Sequence, residues 1–129
     1  MTIRRFVVSA TVDAEGDAEV YSPVIRGKIV SIRYVKDDFE DGVDFAITGE
    51  TSGQAIWSES SVNNSATRYP RAATHSATGA DADYAAESGE PVLDMIALAD
   101  ERIKIVVADG APGEAGGGET GTFHITIDG

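Results

Sequence analysis

Apolar and polar residues alternate with a period of two along most of this chain, which predicts strands with one buried face. From Arg4 to Val12, Phe6, Val8, Ala10 and Val12 share one parity, and Arg5, Val7, Ser9 and Thr11 the other. Between Lys28 and Lys36 the inward set is Val30, Ile32 and Tyr34, opposed by Ser31 and Arg33; between Val43 and Thr48 it is Val43, Phe45 and Ile47. Ile103, Ile105 and Val107 alternate with Arg102 and Lys104, and Phe123, Ile125 and Ile127 with His124, Thr126 and Asp128. The expected core is therefore Phe6, Val8, Val30, Ile32, Phe45, Ile47, Ile103, Ile105, Phe123 and Ile125. Weaker strand patterns cover 18–25, 54–62 and 92–98. In 91–101, Val92, Leu93, Met95, Ile96 and Leu98 fit a helix as well as a strand, with Pro91 acceptable at a first helical position.

Turn residues fall between these segments. Glu15-Gly16-Asp17 suits a hairpin between the first two strands, and Thr51-Ser52-Gly53 a hairpin before the strand that carries Trp57. Pro23 has no N–H to give a ladder and marks an edge or a bulge, while Arg26-Gly27 suggests a bend. Short strands at this spacing, without a sustained helical pattern, predict an all-β fold, an antiparallel β-sandwich or jelly-roll-like domain spanning 1–129. Two segments break the pattern. Residues 63–90 read as one long irregular loop or arm, with Tyr69, Pro70 and Tyr84 its only sizeable apolar groups, and 109–121 (DGAPGEAGGGETG) reads as a flexible glycine-rich loop.

Length adds that 129 residues form one domain large enough to fold without staples. The absence of cysteine excludes disulfides and thiolate metal sites. The opening MTIRRFVVSATV is too short and too broken by polar residues for a signal peptide or a membrane span. A net charge of -12 argues against wrapping nucleic acid, which needs a basic surface to displace counterions. No nucleic-acid or membrane partner is expected.

Catalytic chemistry finds little to work with. A Ser/His/Asp arrangement would have to use His75, in the long loop, or His124, on the polar parity of the last strand, and neither lies in a nucleophile or metal-ligand motif. The acidic run Asp37, Asp38, Glu40, Asp41 and Asp44 is the best candidate for a hard cation, with Gly42 permitting a sharp turn, but its spacing is not that of an EF-hand loop and a solvated acidic turn is the preferred reading. Gly116-Gly117-Gly118 lacks the Lys-Ser/Thr of a phosphate-binding loop and sits among acidic residues. No catalytic residue, metal ligand or cofactor is therefore assigned, and an enzyme is not expected. Binding groups are easier to name. Arg68-Tyr69-Pro70-Arg71 places two guanidiniums and an aromatic ring in an acidic loop, and Trp57 lies on a weak strand. Arg68, Tyr69, Arg71 and Trp57 are the expected interface residues, since Arg, Tyr and Trp are enriched where proteins meet; each could instead serve the domain's own packing.

The segments GKIVSIRYVKDDFEDGVDFAITGETSGQAIW (Gly27 to Trp57), RYPR (Arg68 to Arg71), EPVLDMIALADERIKIVVADG (Glu90 to Gly110) and GTFHITI (Gly121 to Ile127) resemble small proteins encoded among the head and neck genes of tailed bacteriophages. The resemblance brings no catalytic motif. It implies a virion structural protein, a β-sandwich used in many symmetric copies and assembled in the host cytoplasm, whose partners are the major capsid protein or other virion proteins. A capsid decoration or cementing protein is the first expectation. The alternatives are a head-tail neck or tail ring component and a carbohydrate-binding sandwich that stacks sugars on Trp57 or the tyrosines.

Overall fold

The computed structural model describes residues 2–75, 77–80, 92–110 and 118–129. They contain ten strands and no helix: β1 (Ile3–Thr11), β2 (Ala18–Tyr21), β3 (Ile25–Lys36), β4 (Val43–Gly49), β5 (Ala55–Val62), β6 (Ala66–Arg68), β7 (Arg71–Ala73), β8 (Leu93–Glu101), β9 (Ile103–Ala108) and β10 (Thr120–Asp128). The larger sheet has the order β1-β10-β3-β8-β7, with β6 also on β3, and the smaller has β2-β9-β4-β5. Every pairing is antiparallel. The partners are nested: β1 with β10, β2 with β9, β3 with β8, β4 with β5, alternating between the sheets. That is one long hairpin rolled into a two-layer jelly roll.

Period-two alternation drives this architecture, because each strand offers one apolar row to the space between the sheets. β10 alternates buried and half-buried residues along its whole length, with Phe123, Ile125 and Ile127 inward. Val8, Ile32, Phe45, Ile47, Ile103, Ile105, Phe123 and Ile125 are buried as expected. At the centre the Phe45 ring meets Tyr34 at 5.1 Å, Phe123 at 5.3 Å and Trp57 at 4.8 Å, the last two edge-on, a favoured aromatic geometry. Burial, and then the nearby Asp37 charge, pushes the Tyr34 hydroxyl up to about 12. Phe39, hidden in the acidic run, is also buried and stacks on Tyr34.

Two expected core residues are not in the core. β10 pairs Ile125 with Ile32 and Thr126 with Ser31, but Ile127 with Ile29, so Val30 is the extra residue of a β-bulge. One inserted residue reverses the parity beyond it. Ile29 is thus fully buried and Val30 only partly so. Phe6 is partly buried because β1 ends the sheet, and among the described residues no strand covers its far side.

Further expectations are revised. Glu15-Gly16-Asp17 does form a tight turn, with Gly16 N–H donating to Asp13 O at 3.0 Å and Asp13 N–H to Asp17 O at 2.9 Å. It joins strands of different sheets, however, so it is a corner and not a hairpin. The Thr51-Ser52-Gly53 turn does close the β4–β5 hairpin, with Gly53 at φ 73°. The segment 18–25 is not one strand: β2 stops at Tyr21 and Pro23 lies in the link to β3. Residues 93–101 are a strand. The long loop holds β6 and β7, which use the remaining edges of β3 and β8. Its residues 81–90, with Tyr84, and Pro91 lie outside the described residues, as does most of the glycine-rich loop, including Gly116 and Gly117. The described flanks of that loop are tied down: Gly110 N–H donates to Gly16 O and Gly118 N–H to Val12 O, both at 2.9 Å.

Candidate functional site

The Arg68–Arg71 motif is where the chain crosses from β3 to the outer side of β8. β6 pairs with Ile32–Tyr34 and β8 with Ile25–Ile29, both along one edge of β3, which leaves the bulged Val30 between them. Arg71 fills the junction, its Nη1 donating to Val30 O at 3.1 Å and to Pro70 O at 2.8 Å. Arg68 is opposite Ile32 and so turns toward the smaller sheet. Its Nε donates to Glu59 Oε1 at 2.6 Å, and its guanidinium carbon lies 5.9 Å from the centre of the Trp57 ring. Trp57 Nε1 donates to that same Glu59 oxygen at 2.9 Å. With 8% of its surface exposed, Trp57 has no free ring face for a sugar or a partner. Three of the four expected interface residues therefore act within the domain, and Tyr69, 64% exposed, projects outward.

A different surface gathers groups suited to binding. On the outer face of the larger sheet the register places Arg5, Thr126 and Ser31 in one row across β1, β10 and β3, and Val7, His124, Arg33 and Thr67 in the next, reaching β6. Adjacent strands lie ~4.8 Å apart and successive same-face residues ~6.7 Å apart. Two arginines thus flank a floor of His124 and Thr126 in a shallow hollow of about 170 Å³, lined by Arg5, Ser31, Arg33, Thr67, His124 and Thr126. Among the described residues no carboxylate lines it. Five cations are paired, Arg26 with Asp100, Lys36 with Asp41, Arg68 with Glu59, Arg102 with Glu50 and Lys104 with Glu19, whereas Arg5 and Arg33, like Arg4, Lys28 and Arg71, have no ion pair among the described residues. Exposed apolar groups adjoin the hollow on β1: Ile3 at 58% and Val7 at 53%. Sequence reading placed His124 on the surface but missed this grouping, for which the signal was the polar parity of three strands whose order was not yet known.

The acidic run is dispersed. Asp37 accepts from Thr122 Oγ1 at 2.8 Å, Asp38 from the Thr120 hydroxyl at 3.1 Å, Asp44 from Ser61 N–H at 2.7 Å, and Asp41 pairs with Lys36. These bonds fasten the β3–β4 link to β10 and β5. Among the described residues no three His, Asp or Glu side chains gather as metal ligands. Asp109, at φ 58°, is held above the ordinary carboxylate range by hydrogen bonding and repulsion from Asp44. The outer face of the smaller sheet is accordingly acid-rimmed around small residues, with Asp44, Ala46, Ser58, Ser60, Val106 and Ala108 lining a shallow trough. No family model matches the chain, and no curated protein matches its sequence.

Proposed function

We propose that this protein is a virion structural component that binds the outside of an assembled phage head as a decoration or cementing protein, acting by binding and not by catalysis. The observation that carries the reading is the outer face of the larger sheet, where Arg5, Arg33 and His124 have no ion pair among the described residues and line one hollow beside exposed Ile3 and Val7 in a chain of net charge -12. Unpaired guanidiniums next to apolar side chains suit a protein contact, with the charges guiding encounter and the apolar area holding it. Tyr69 supplies a further exposed aromatic. The sequence resemblance supplies the virion setting, and the jelly roll suits a rigid module displayed in many copies. A ligand that binds only the assembled shell stabilises it by mass action, more so with each copy bound.

The test is a mass-spectrometric copy count on purified particles, with the doubly substituted Arg5→Ala, Arg33→Ala protein compared against wild type for attachment. Many copies per head are expected, with attachment at least tenfold weaker in the variant and its melting temperature unchanged. A count matching a single ring, absence from particles, or full attachment of the variant would overturn the proposal.

A further inference from the structure

The free edges of the two sheets are not alike. An edge strand presents unpaired N–H and C=O groups to any passing strand, and folded proteins blunt such edges by short length, proline, bulges or charge. β6 and β7 are three residues each, and β2 is four residues followed at once by Ser22-Pro23. β5 slips register against β4 at two places and carries Ser61 at φ 57°. β1 has none of these devices except Arg4 and Arg5. Its nine residues pair with β10 without a register shift, and IRRFVVSAT contains no proline, glycine or acidic residue.

Which of its backbone groups are free follows from its ends. Thr2 O accepts from Gly129 N–H at 2.8 Å, while Val12 N–H donates to Glu119 O at 3.0 Å and Val12 O accepts from Gly118 N–H at 2.9 Å. Successive residues of an antiparallel strand aim their backbone groups to opposite sides. The even-numbered residues therefore bond to β10, and Ile3, Arg5, Val7, Ser9 and Thr11 direct their N–H and C=O groups away from the sheet. Val7 is the midpoint of this row.

We propose that β1 pairs antiparallel with β1 of a second copy of this chain, about a two-fold axis at Val7. Full overlap of the strand requires that centre, and the register is self-complementary. On the outer face it sets Val7 opposite Val7, Arg5 opposite Ser9 and Ile3 opposite Thr11; on the inner face, Phe6 opposite Val8 and Arg4 opposite Ala10. Registers centred on Arg4 or Arg5 would oppose like charges, which is destabilising across strands. The five free residues of each copy would exchange about ten backbone hydrogen bonds. Phe6, whose apolar parity belongs to the core but whose edge position leaves it only partly buried, gains a neighbour in a non-hydrogen-bonded pair, where side chains approach most closely. The contact is isologous, and it would join two larger sheets into one that carries both cationic hollows on a single face. Although the chain as a whole repels its copies at net charge -12, no carboxylate lies on the strand at the axis.

The absence of cysteine permits a direct test. In this register two Val7 Cα atoms lie ~5.5 Å apart, within the span a disulfide bridges. Purified Val7→Cys protein should form a disulfide-linked dimer under mild oxidation; Arg5→Cys and Ser9→Cys should not do so singly but should cross-link when mixed. In sedimentation the wild type should dimerise, and Val7→Lys, altered at an exposed site, should keep its circular dichroism while associating at least tenfold more weakly. A wild type that stays monomeric at all concentrations, Arg5→Cys that cross-links to itself as readily as Val7→Cys, or Val7→Lys that associates normally would overturn the proposal. No particles enter these measurements, so their outcome is independent of the virion reading.

Discussion

Replacing Ile29 and Val30 by alanine, one at a time, isolates the effect of the β-bulge in β3. Ile29 is fully buried between the sheets, whereas Val30 is partly exposed and unpaired with β10. Ile29→Ala removes three buried carbons, ~2.4 kcal/mol at ~0.8 kcal/mol each, and the residual cavity brings the total to about 3–4 kcal/mol. Val30→Ala removes two partly solvated carbons and should lose about 1 kcal/mol. At this chain length 1 kcal/mol moves the midpoint of a two-state melt by roughly 3–5 °C. The two variants should therefore melt roughly 10 °C apart, with Ile29→Ala lower, when followed by calorimetry or circular dichroism. Equal losses, or a larger loss at Val30, would mean that the strand runs in unbroken alternation and that the bulge does not exist.

Two further perturbations probe packing and charge. A methyl group at Gly121 would stand 2.3 Å from a Phe39 ring carbon, so Gly121→Ala should destabilise by about 1–3 kcal/mol through overpacking; a double variant with Phe39→Leu should recover part of the loss in denaturant titration, and strict additivity would refute the contact. Asp109 binds its proton more tightly folded than unfolded because of Asp44, so its ionisation progressively destabilises the fold as pH rises above the unfolded carboxyl range and is without effect below it. Asp109→Asn should accordingly raise the melting temperature at pH 7 more than at pH 3, and an increment independent of pH would refute the repulsion.

Strand existence was legible in the sequence because alternation such as Phe123, Ile125, Ile127 against His124, Thr126, Asp128 reports directly which face is buried. What escaped depended on the third dimension. A single extra residue at Val30 leaves the composition of β3 unchanged and moves the inward position to Ile29. β6 and β7 are too short to show alternation and owe their existence to the vacant edges of β3 and β8. Glu15-Gly16-Asp17 announces a turn but not whether the chain returns along the same sheet. Phe39 looks like part of an acidic loop until Gly121, 82 positions later, provides the space beside its ring. The cationic hollow was hidden for the same reason, since Arg5, Arg33 and His124 come from separate strands and meet only because β10 inserts between β1 and β3.

That insertion also dictates when the fold can appear during synthesis. Of the described strands β1 is made first, and among the described residues its one ladder partner is β10, the one made last, with Ile3 lying opposite Asp128. β3 reaches β1 only across that same late strand. Until residues 120–128 emerge, the larger sheet is missing a central member and the inward faces of Val8, Ile32 and Tyr34 have no complete layer to join. The nascent chain must therefore hold the apolar rows of β1 and β3 in an unfinished state until β10 has been made, and closure, when it comes, brings strands far apart in sequence together in one late step governed by long-range loop closure.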